Sequence, residues 1–106
     1  MKFIGLVDGT SADVYDTDLG NVEECDAFLA ITDYSSTGLG MEIRRAAELG
    51  RPTLLTAQTD KRVTRMVLGA AEREPSFAFE RYGDLRTNLL GMVNEHFAAI
   101  LEGARV

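Results

Sequence analysis

The sequence predicts an α/β fold, a three-layer open parallel sheet of about four strands with helices on both faces. The clearest sign is one βαβ unit, in which an apolar strand, Ala27–Ile31, is followed by a helix from about Leu39 to Leu49. Gly50 ends that helix, and a second apolar strand, Arg51–Thr56, follows. The first strand is apolar throughout, which is typical of a strand buried on both faces. Strands and helices then alternate along the rest of the chain, as a parallel sheet requires.

The N-terminal part of the chain is predicted to contain one strand, a loop and a short helix. Lys2–Val7 is strand-like, and Asp8 begins a turn with Gly9. Asp13–Asp18 carries three acids and is predicted to be a loop. Leu19–Glu24 is predicted to be one or two turns of helix, with Asp18 as its N-cap. The whole chain, residues 1–106, is expected to form one domain of flavodoxin-like or Rossmann-like type.

The C-terminal half is predicted to contribute two helices and one strand. The first helix runs from Lys61 to about Ala71 and the last from Leu85 to about Glu102. Between them, Phe77–Tyr82 alternates as a strand with one wet face would. The apolar positions expected to face the sheet are Val63, Met66, Val67 and Ala70 in the first helix, and Leu85, Leu89, Val93, Phe97 and Ile100 in the last.

The composition is that of an ordinary soluble globular chain. Of its 106 residues, 45% are hydrophobic and 26% charged. The net charge of −6 argues against nucleic acid or an anionic membrane as a partner, because counterion release requires a basic face. Cys25 is the single cysteine, and we see no signal peptide or membrane-length apolar run. A cytoplasmic location is therefore expected.

Glu42 is the sharpest candidate for a chemical role. It is predicted to lie in the first turn of the helix after the first strand of the βαβ unit, where free N–H groups favour an ionised carboxylate. Open α/β sheets bind ligands at the carboxyl ends of their strands. A carboxylate there could be a nucleophile or a base, whereas a glutamate near a helix start is also commonly a capping residue.

The turn before this helix is rich in hydroxyls and glycine. It contains Ser35, Ser36, Thr37, Gly38 and Gly40. Such loops bind anions and sugar hydroxyls through backbone N–H groups and side-chain oxygens, although serine and threonine also cap helices without any ligand. The glycines do not fit the dinucleotide-binding pattern, and the phosphate-loop lysine is missing.

The remaining candidates are weaker. Asp16, Asp18 and Asp33 could be general acids or could recognise a base. A capping role explains Asp18 as well, and a solvated loop position explains the other two. His96 is interpreted as a surface or packing histidine, and Cys25 as a small core residue. No His/Cys/Asp cluster has metal-ligand spacing in the sequence, so no metal and no cofactor are expected.

Taken together, these segments resemble the nucleoside 2-deoxyribosyltransferase family and its nucleotide N-glycoside hydrolase relatives. The resemblance covers roughly residues 13–103, and its most specific parts are SSTGLGMEI and the following ELGRP. It implies that Glu42 is the nucleophile that attacks the anomeric carbon and that Asp18 protonates the leaving base. It also implies that Ser36 holds a sugar hydroxyl or a 5′-phosphate. A serine at that position favours a phosphorylated substrate.

The chemistry agrees with this assignment, because an oxocarbenium-like centre needs a nearby carboxylate and a leaving base needs a proton donor. Asp33 is expected to assist Asp18, and the hydroxyl- and glycine-rich turn to hold the sugar or its phosphate. The N-terminus departs from the family pattern, because only about ten residues separate the first strand from Asp18. Asp8 is a candidate for a replacement acid, and a second subunit could complete the pocket.

Three hypotheses remain open from the sequence. The first is an N-glycosyl transferase or hydrolase acting on a (deoxy)nucleoside or its 5′-monophosphate. The second is a nucleotide-binding module without catalysis, and the third is an interaction domain of the same fold. A homodimer or higher homo-oligomer is expected in each case, because a small sheet with an abbreviated edge leaves apolar surface to cover.

Overall fold

A computed structural model describes residues 10–34 and 36–103, with side chains up to residue 98. Within these residues, three parallel strands alternate with four helices. The elements are α1 (Ser11–Glu24), β1 (Phe28–Ile31), α2 (Thr37–Glu48), β2 (Thr53–Gln58), α3 (Arg65–Arg73), β3 (Phe77–Tyr82) and α4 (Leu85–Gly103). The predicted α/β class is thereby confirmed. The predicted N-terminal strand, Lys2–Val7, lies outside the described residues.

The described sheet has the order β1-β2-β3, so β2 is its central strand. Phe28 pairs with Thr53, which in turn pairs with Phe77. Five of the six residues of β2 are buried, as expected for a strand covered on both faces. The prediction that β1 is buried on both faces is wrong for most of the strand: Ala30 is buried, but Phe28 and Leu29 are half-buried and Ile31 is 39% exposed.

Helices cover both faces of the sheet, and each face has its own core. On one face, α1, α2 and α3 pack around Val22, Ala46 and Leu55. On the other face, α4 packs Met92 and Phe97 against β2 and β3. The two faces therefore carry different sets of polar side chains, which matters for the sites described below.

Helix α1 is longer than the sequence suggested. Residues 13–18 were predicted to be a loop, but the helix begins at Ser11 and is capped by Thr10 rather than Asp18. The backbone N–H of Asp13 donates to Thr10 Oγ1 at 3.1 Å, and the Thr10 N–H donates to Asp13 Oδ2 at 3.0 Å. This reciprocal capping box, with an acid in the first turn, stabilises the start of α1 at Ser11. The three aspartates of residues 13–18 had suggested a loop there instead.

The helix boundaries in the second half also differ in detail. The helix predicted from Lys61 begins at Arg65, after the N-cap Thr64. Met66 was expected on the buried face but is 83% exposed, because it lies in the first turn of the later-starting helix, whose core-facing residues are Val67 and Ala70. The strand Phe77–Tyr82 agrees residue for residue, and Gly50 ends α2 with a φ of 65°. No helix among the described residues is long and apolar enough to span a bilayer.

Candidate active site

The candidate site lies between α1 and α2, on the face of the sheet opposite α4. Both helices begin at the carboxyl ends of the strands and run toward the amino ends, so they are parallel neighbours. In this arrangement Asp18 on α1 and Glu42 on α2 line the same two cavities. The two carboxylates are far apart in the sequence, and the parallel packing of the two helices brings them together.

The first of these cavities has a volume of about 190 Å³ and opens near the start of both helices. Its wall combines the two carboxylates with apolar side chains and one glycine. The lining residues are Ser11, Val14, Tyr15, Asp18, Leu19, Gly38, Met41 and Glu42. An apolar wall with a few convergent polar groups is typical of a small-molecule site.

The second cavity, of about 310 Å³, is lined by the same two carboxylates. It reaches the end of α1 and the start of β1 at Cys25 and Phe28. Cys25 is half-buried there, and burial raises the pKa of its thiol. Because Asp18 and Glu42 belong to both walls, they form the partition between the two hollows.

Glu42 does not lie where the sequence placed it along the helix. The N-cap of α2 is Ser36, so Glu42 lies in the second turn and cannot cap the first one. Burial, and then the negative charge of Asp18, raise the pKa of Glu42 above its usual value of 4.5. The expectation that the helix start favours its ionised form is therefore wrong, because desolvation prevails at this depth.

Glu42 has no ion-pair partner within 4.0 Å among the residues whose side chains are described. Arg45, one turn further along α2, directs its guanidinium elsewhere. Its Nη2 lies 2.9 Å from Glu23 Oε1 on α1, and its Nη1 lies 3.2 Å from Glu48 Oε2. The Arg45–Glu23 pair bridges α1 and α2 about one turn from the two carboxylates, and so it helps to set their spacing.

Ser36 occupies the start of α2, where its Oγ accepts a hydrogen bond from the Leu39 N–H at 3.1 Å. This is the capping role that the sequence left open. It uses one acceptor lone pair, so the serine hydroxyl hydrogen remains available to a ligand. Thr37 and Gly38 follow in the exposed first turn, where helical N–H groups lack intrahelical partners.

The two glycines of the turn face different surroundings. Gly38 lines the 190 Å³ cavity with Glu42, whereas Gly40 lines a groove between α2 and α3. A Cβ at either position would meet no described heavy atom within 4 Å. Only Gly38 is therefore close to the carboxylate pair. Ser35 and Asp8 lie outside the described residues.

Asp33 lies apart from the pair of carboxylates. It follows β1 and binds the ends of the other two strands, with Oδ1 accepting from the Gln58 N–H at 2.7 Å and Oδ2 accepting from the Tyr82 hydroxyl. The Tyr82 hydrogen bond, more than any other contact, lowers the pKa of Asp33. The same bond raises the pKa of Tyr82 to about 12.

The sequence analysis missed the apolar part of the wall. Tyr15 and Met41 are exposed large side chains beside the carboxylates, and Tyr15 is 52% exposed. The signal was available, because Tyr15, Asp18 and Leu19 have the i, i+3, i+4 spacing of one helix face. It was missed because residues 13–18 were predicted to be a loop. Asp16 lies on the same helix and lines a neighbouring surface hollow with Tyr15.

Comparison with known proteins supports the resemblance seen in the sequence. A Methanosarcina mazei protein named "Putative 2'-deoxynucleoside 5'-phosphate N-hydrolase 1" is 42% identical to this chain over 60 residues. The matched segment covers 57% of this chain and 37% of that protein. No protein-family model matches the chain. The resemblance to nucleotide N-glycoside hydrolases is therefore confirmed over about half of this chain, and the catalytic roles of individual residues stay predictions.

Proposed function

We propose that this chain cleaves the N-glycosidic bond of a 2′-deoxynucleoside 5′-monophosphate, with Glu42 and Asp18 as the reacting carboxylates. One observation carries the proposal: two carboxylates from neighbouring helices line the same hollows, with no cation within 4.0 Å of either among the described side chains. A pair of this kind is what glycoside cleavage requires. The similarity to a protein whose name includes 2′-deoxynucleoside 5′-phosphate N-hydrolase supports the same substrate class.

In this mechanism Glu42 is the nucleophile. Burial and the charge of an ionised Asp18 raise the pKa of Glu42, so the two neighbouring carboxylates retain one shared proton more readily than two solvated acids would. The reacting form is the one in which Asp18 holds that proton and Glu42 is ionised. The Glu42 carboxylate attacks the anomeric carbon as the bond to the base breaks, and Asp18 donates a proton to the leaving base. Asp18 then accepts a proton from water, which hydrolyses the glycosyl ester with overall retention. An acceptor base in place of water would give transfer.

The start of α2 is proposed to hold the 5′-phosphate. Ser36 and Glu42 are six residues apart, or about 9 Å along the helix axis. We place the anion at the Ser36 hydroxyl and the exposed N–H groups of Thr37 and Gly38, of which Gly38 also lines the 190 Å³ cavity with Glu42. The glycosidic carbon would then lie near Glu42. Asp33 is proposed to support this loop from the strand ends rather than to exchange protons.

The test is the release of free base from a panel of deoxynucleoside 5′-monophosphates and the matching deoxynucleosides, followed by chromatography. We expect release from the phosphorylated compounds and none from Glu42→Ala. Glu72→Ala is the matched control, because Glu72 is an exposed glutamate on α3, away from the cavities. Base release by Glu42→Ala at the wild-type rate would exclude Glu42 as the nucleophile.

Binding without turnover is the second candidate function. The Ser36 side chain favours this alternative. Its oxygen caps α2 while its hydroxyl hydrogen stays available to a phosphate, and neither role requires catalysis. Ligand-induced thermal stabilisation with equal base release in the presence and absence of the protein would identify a binding module. If neither stabilisation nor release occurred, an interaction domain would be the better interpretation.

The proposal includes a homodimer in a reducing cytoplasmic setting. Val14, Tyr15 and Met41 expose apolar surface beside the site, and β1 is an edge strand of the described sheet. A second copy of the chain would cover this apolar surface, and two-fold dimers are the commonest assemblies of this kind. Light scattering coupled to size exclusion tests this, and a monomer at assay concentrations would contradict it.

A further inference from the structure

The second face of the sheet carries a cluster of metal-ligand side chains that is separate from the proposed active site. Glu80 on β3 and Glu95 and His96 on α4 offer one ligand atom each, and these atoms lie within 4.8 Å of one another. His96 is sixteen residues from Glu80 in the chain, so the cluster exists only because α4 packs on β3. This distance in sequence explains why no metal-ligand spacing was seen there.

Two of the three side chains already lie against each other. His96 Nε2 lies 2.7 Å from Glu80 Oε2, and the two side chains are 24% and 36% exposed. Glu80 stands on the α4 side of the sheet, and its backbone oxygen accepts a hydrogen bond from Thr56 Oγ1 on the central strand. The carboxylate and the imidazole therefore meet on rigid elements, as preorganised ligands should.

No lysine or arginine among the described side chains pairs with the carboxylates of this cluster. Neither Glu80 nor Glu95 has a lysine or arginine within 4.0 Å among the side chains described up to residue 98. Arg81, the nearest cation in sequence, donates instead to the backbone oxygens of Gln58 and Lys61 at 3.0 and 2.8 Å. Two carboxylates held this close repel each other unless a cation lies between them.

There is also room for further ligands. A cavity of about 350 Å³ adjoins the cluster, and both Glu80 and Glu95 line it. Arg81 also lines it, although its guanidinium donates to two backbone oxygens, and the polar residues Thr87 and Asn88 form part of the wall. Water could therefore complete the coordination of an ion bound by three protein atoms, as in zinc sites with one open position.

We propose that Glu80, Glu95 and His96 bind one divalent transition-metal ion, with Zn²⁺ the best fit, and that this ion ties α4 to β3. Imidazole together with carboxylate oxygens is a donor set suited to Zn²⁺ rather than to Mg²⁺ or Ca²⁺. Binding requires the His96–Glu80 hydrogen bond to open so that both atoms face the ion at about 2.0–2.2 Å. The site is structural, because the sheet separates it from Asp18 and Glu42 on the α1–α2 face.

The experiment uses the full chain without an affinity tag, in a Cys25→Ser background that removes the only competing thiol. Zn²⁺ affinity is measured by competition with a chromophoric chelator, and thermal unfolding is followed with and without ZnCl₂. We expect about one Zn²⁺ per chain, a higher unfolding temperature with Zn²⁺, and at least roughly tenfold weaker binding in Glu80→Gln and His96→Gln. Glu72→Gln is the matched control and should bind as the parent does.

Glu95→Gln keeps the test decisive if the half-buried variants unfold. Glu95 is exposed, so this variant should fold normally and still lose at least roughly tenfold in affinity. X-ray absorption should show nitrogen and oxygen ligands with an imidazole contribution. Absence of stoichiometric Zn²⁺ binding, or equal binding by the parent and Glu95→Gln, would overturn the proposal.

Discussion

Asp33 and Glu42 are two carboxylates that flank the same loop, yet their surroundings are opposite. Both oxygens of Asp33 accept hydrogen bonds from the ends of neighbouring strands, and its pKa is lowered. Glu42 faces hollows beside another carboxylate, and its pKa is raised. The comparison teaches that a carboxylate already satisfied by the fold serves stability, whereas one left without partners is available for chemistry.

The largest expected effect is at Glu42 itself. Glu42→Gln keeps the size of the side chain but removes the nucleophilic charge, so kcat/KM for base release should fall by about 10³-fold or more. The free energy of unfolding at pH 7 should rise or stay equal, because the variant no longer places a charge beside Asp18. Steady-state kinetics and urea unfolding measure the two quantities. A loss of stability together with activity would remove the contrast with Asp33.

A smaller effect is expected at the partner carboxylate. Asp18→Asn removes the proposed proton donor and should lower kcat by about 10²-fold. It also removes the negative charge that helps to raise the pKa of Glu42, so that pKa should fall. Carbon-detected NMR titration of the glutamate side chains follows this shift, and Asp16→Asn on the same helix is the control. An unchanged Glu42 pKa would show that the two carboxylates do not interact.

Removing Asp33 should lower stability and leave activity largely unchanged, the opposite of the result expected for Glu42→Gln. Asp33→Ala leaves the Gln58 N–H and the Tyr82 hydroxyl without their acceptor, which should cost about 1–2 kcal/mol of unfolding free energy. The rate of base release should stay within a few-fold of wild type at temperatures where the variant is folded. Urea denaturation and the same kinetic assay test both halves. A loss of activity as large as that of Glu42→Gln would make Asp33 a reacting group.

Ser36 is expected to serve both stability and substrate binding. Ser36→Ala removes the N-cap of α2 and should destabilise the protein by about 1 kcal/mol. It should also reduce the preference for 5′-monophosphates over free nucleosides, since a phosphate ligand is lost. Ser36→Thr is the control, because threonine keeps the hydroxyl. An unchanged substrate preference in Ser36→Ala would assign the serine to capping alone.

The smallest effect is on the pH dependence of stability. The folded pKa of Asp33 is lowered from 3.8, so its contribution to stability is present above that value and is lost as pH falls through the folded pKa. The folded pKa of Glu42 is raised from 4.5, so its contribution is present below 4.5 and is lost as pH rises through the folded pKa.

Urea unfolding from pH 3 to pH 7 separates these two contributions. The stability of Glu42→Gln relative to wild type should increase as pH rises above 4.5, whereas the deficit of Asp33→Ala should shrink as pH falls below 3.8. If the stability difference from wild type changed with pH in the same direction for both variants, the pKa values of Asp33 and Glu42 would not be shifted in opposite directions.

The prediction from sequence was most accurate where the spacing of apolar residues and the positions of glycine or proline indicated the same element boundary. The strand Phe77–Tyr82 and the end of α2 at Gly50 were correct because alternation and a left-handed glycine are local signals. It was wrong at residues 13–18, where three aspartates suggested a loop while the capping box at Thr10 produced a helix. That error concealed the helix face on which Tyr15 and Asp18 lie.

The amino-acid order by itself determined the α/β alternation, the end of α2 at Gly50 and the candidacy of Glu42, because each depends on neighbours only a few residues away. The tertiary structure alone decided which carboxylates meet. It placed Asp18 near Glu42, Asp33 in hydrogen-bond contact with Tyr82, and Glu80 in contact with His96. Each pair results from the packing of elements that are distant in the chain. The physical reason is that burial and charge–charge distance set the chemistry of a carboxylate, and neither quantity exists until helices and strands have packed.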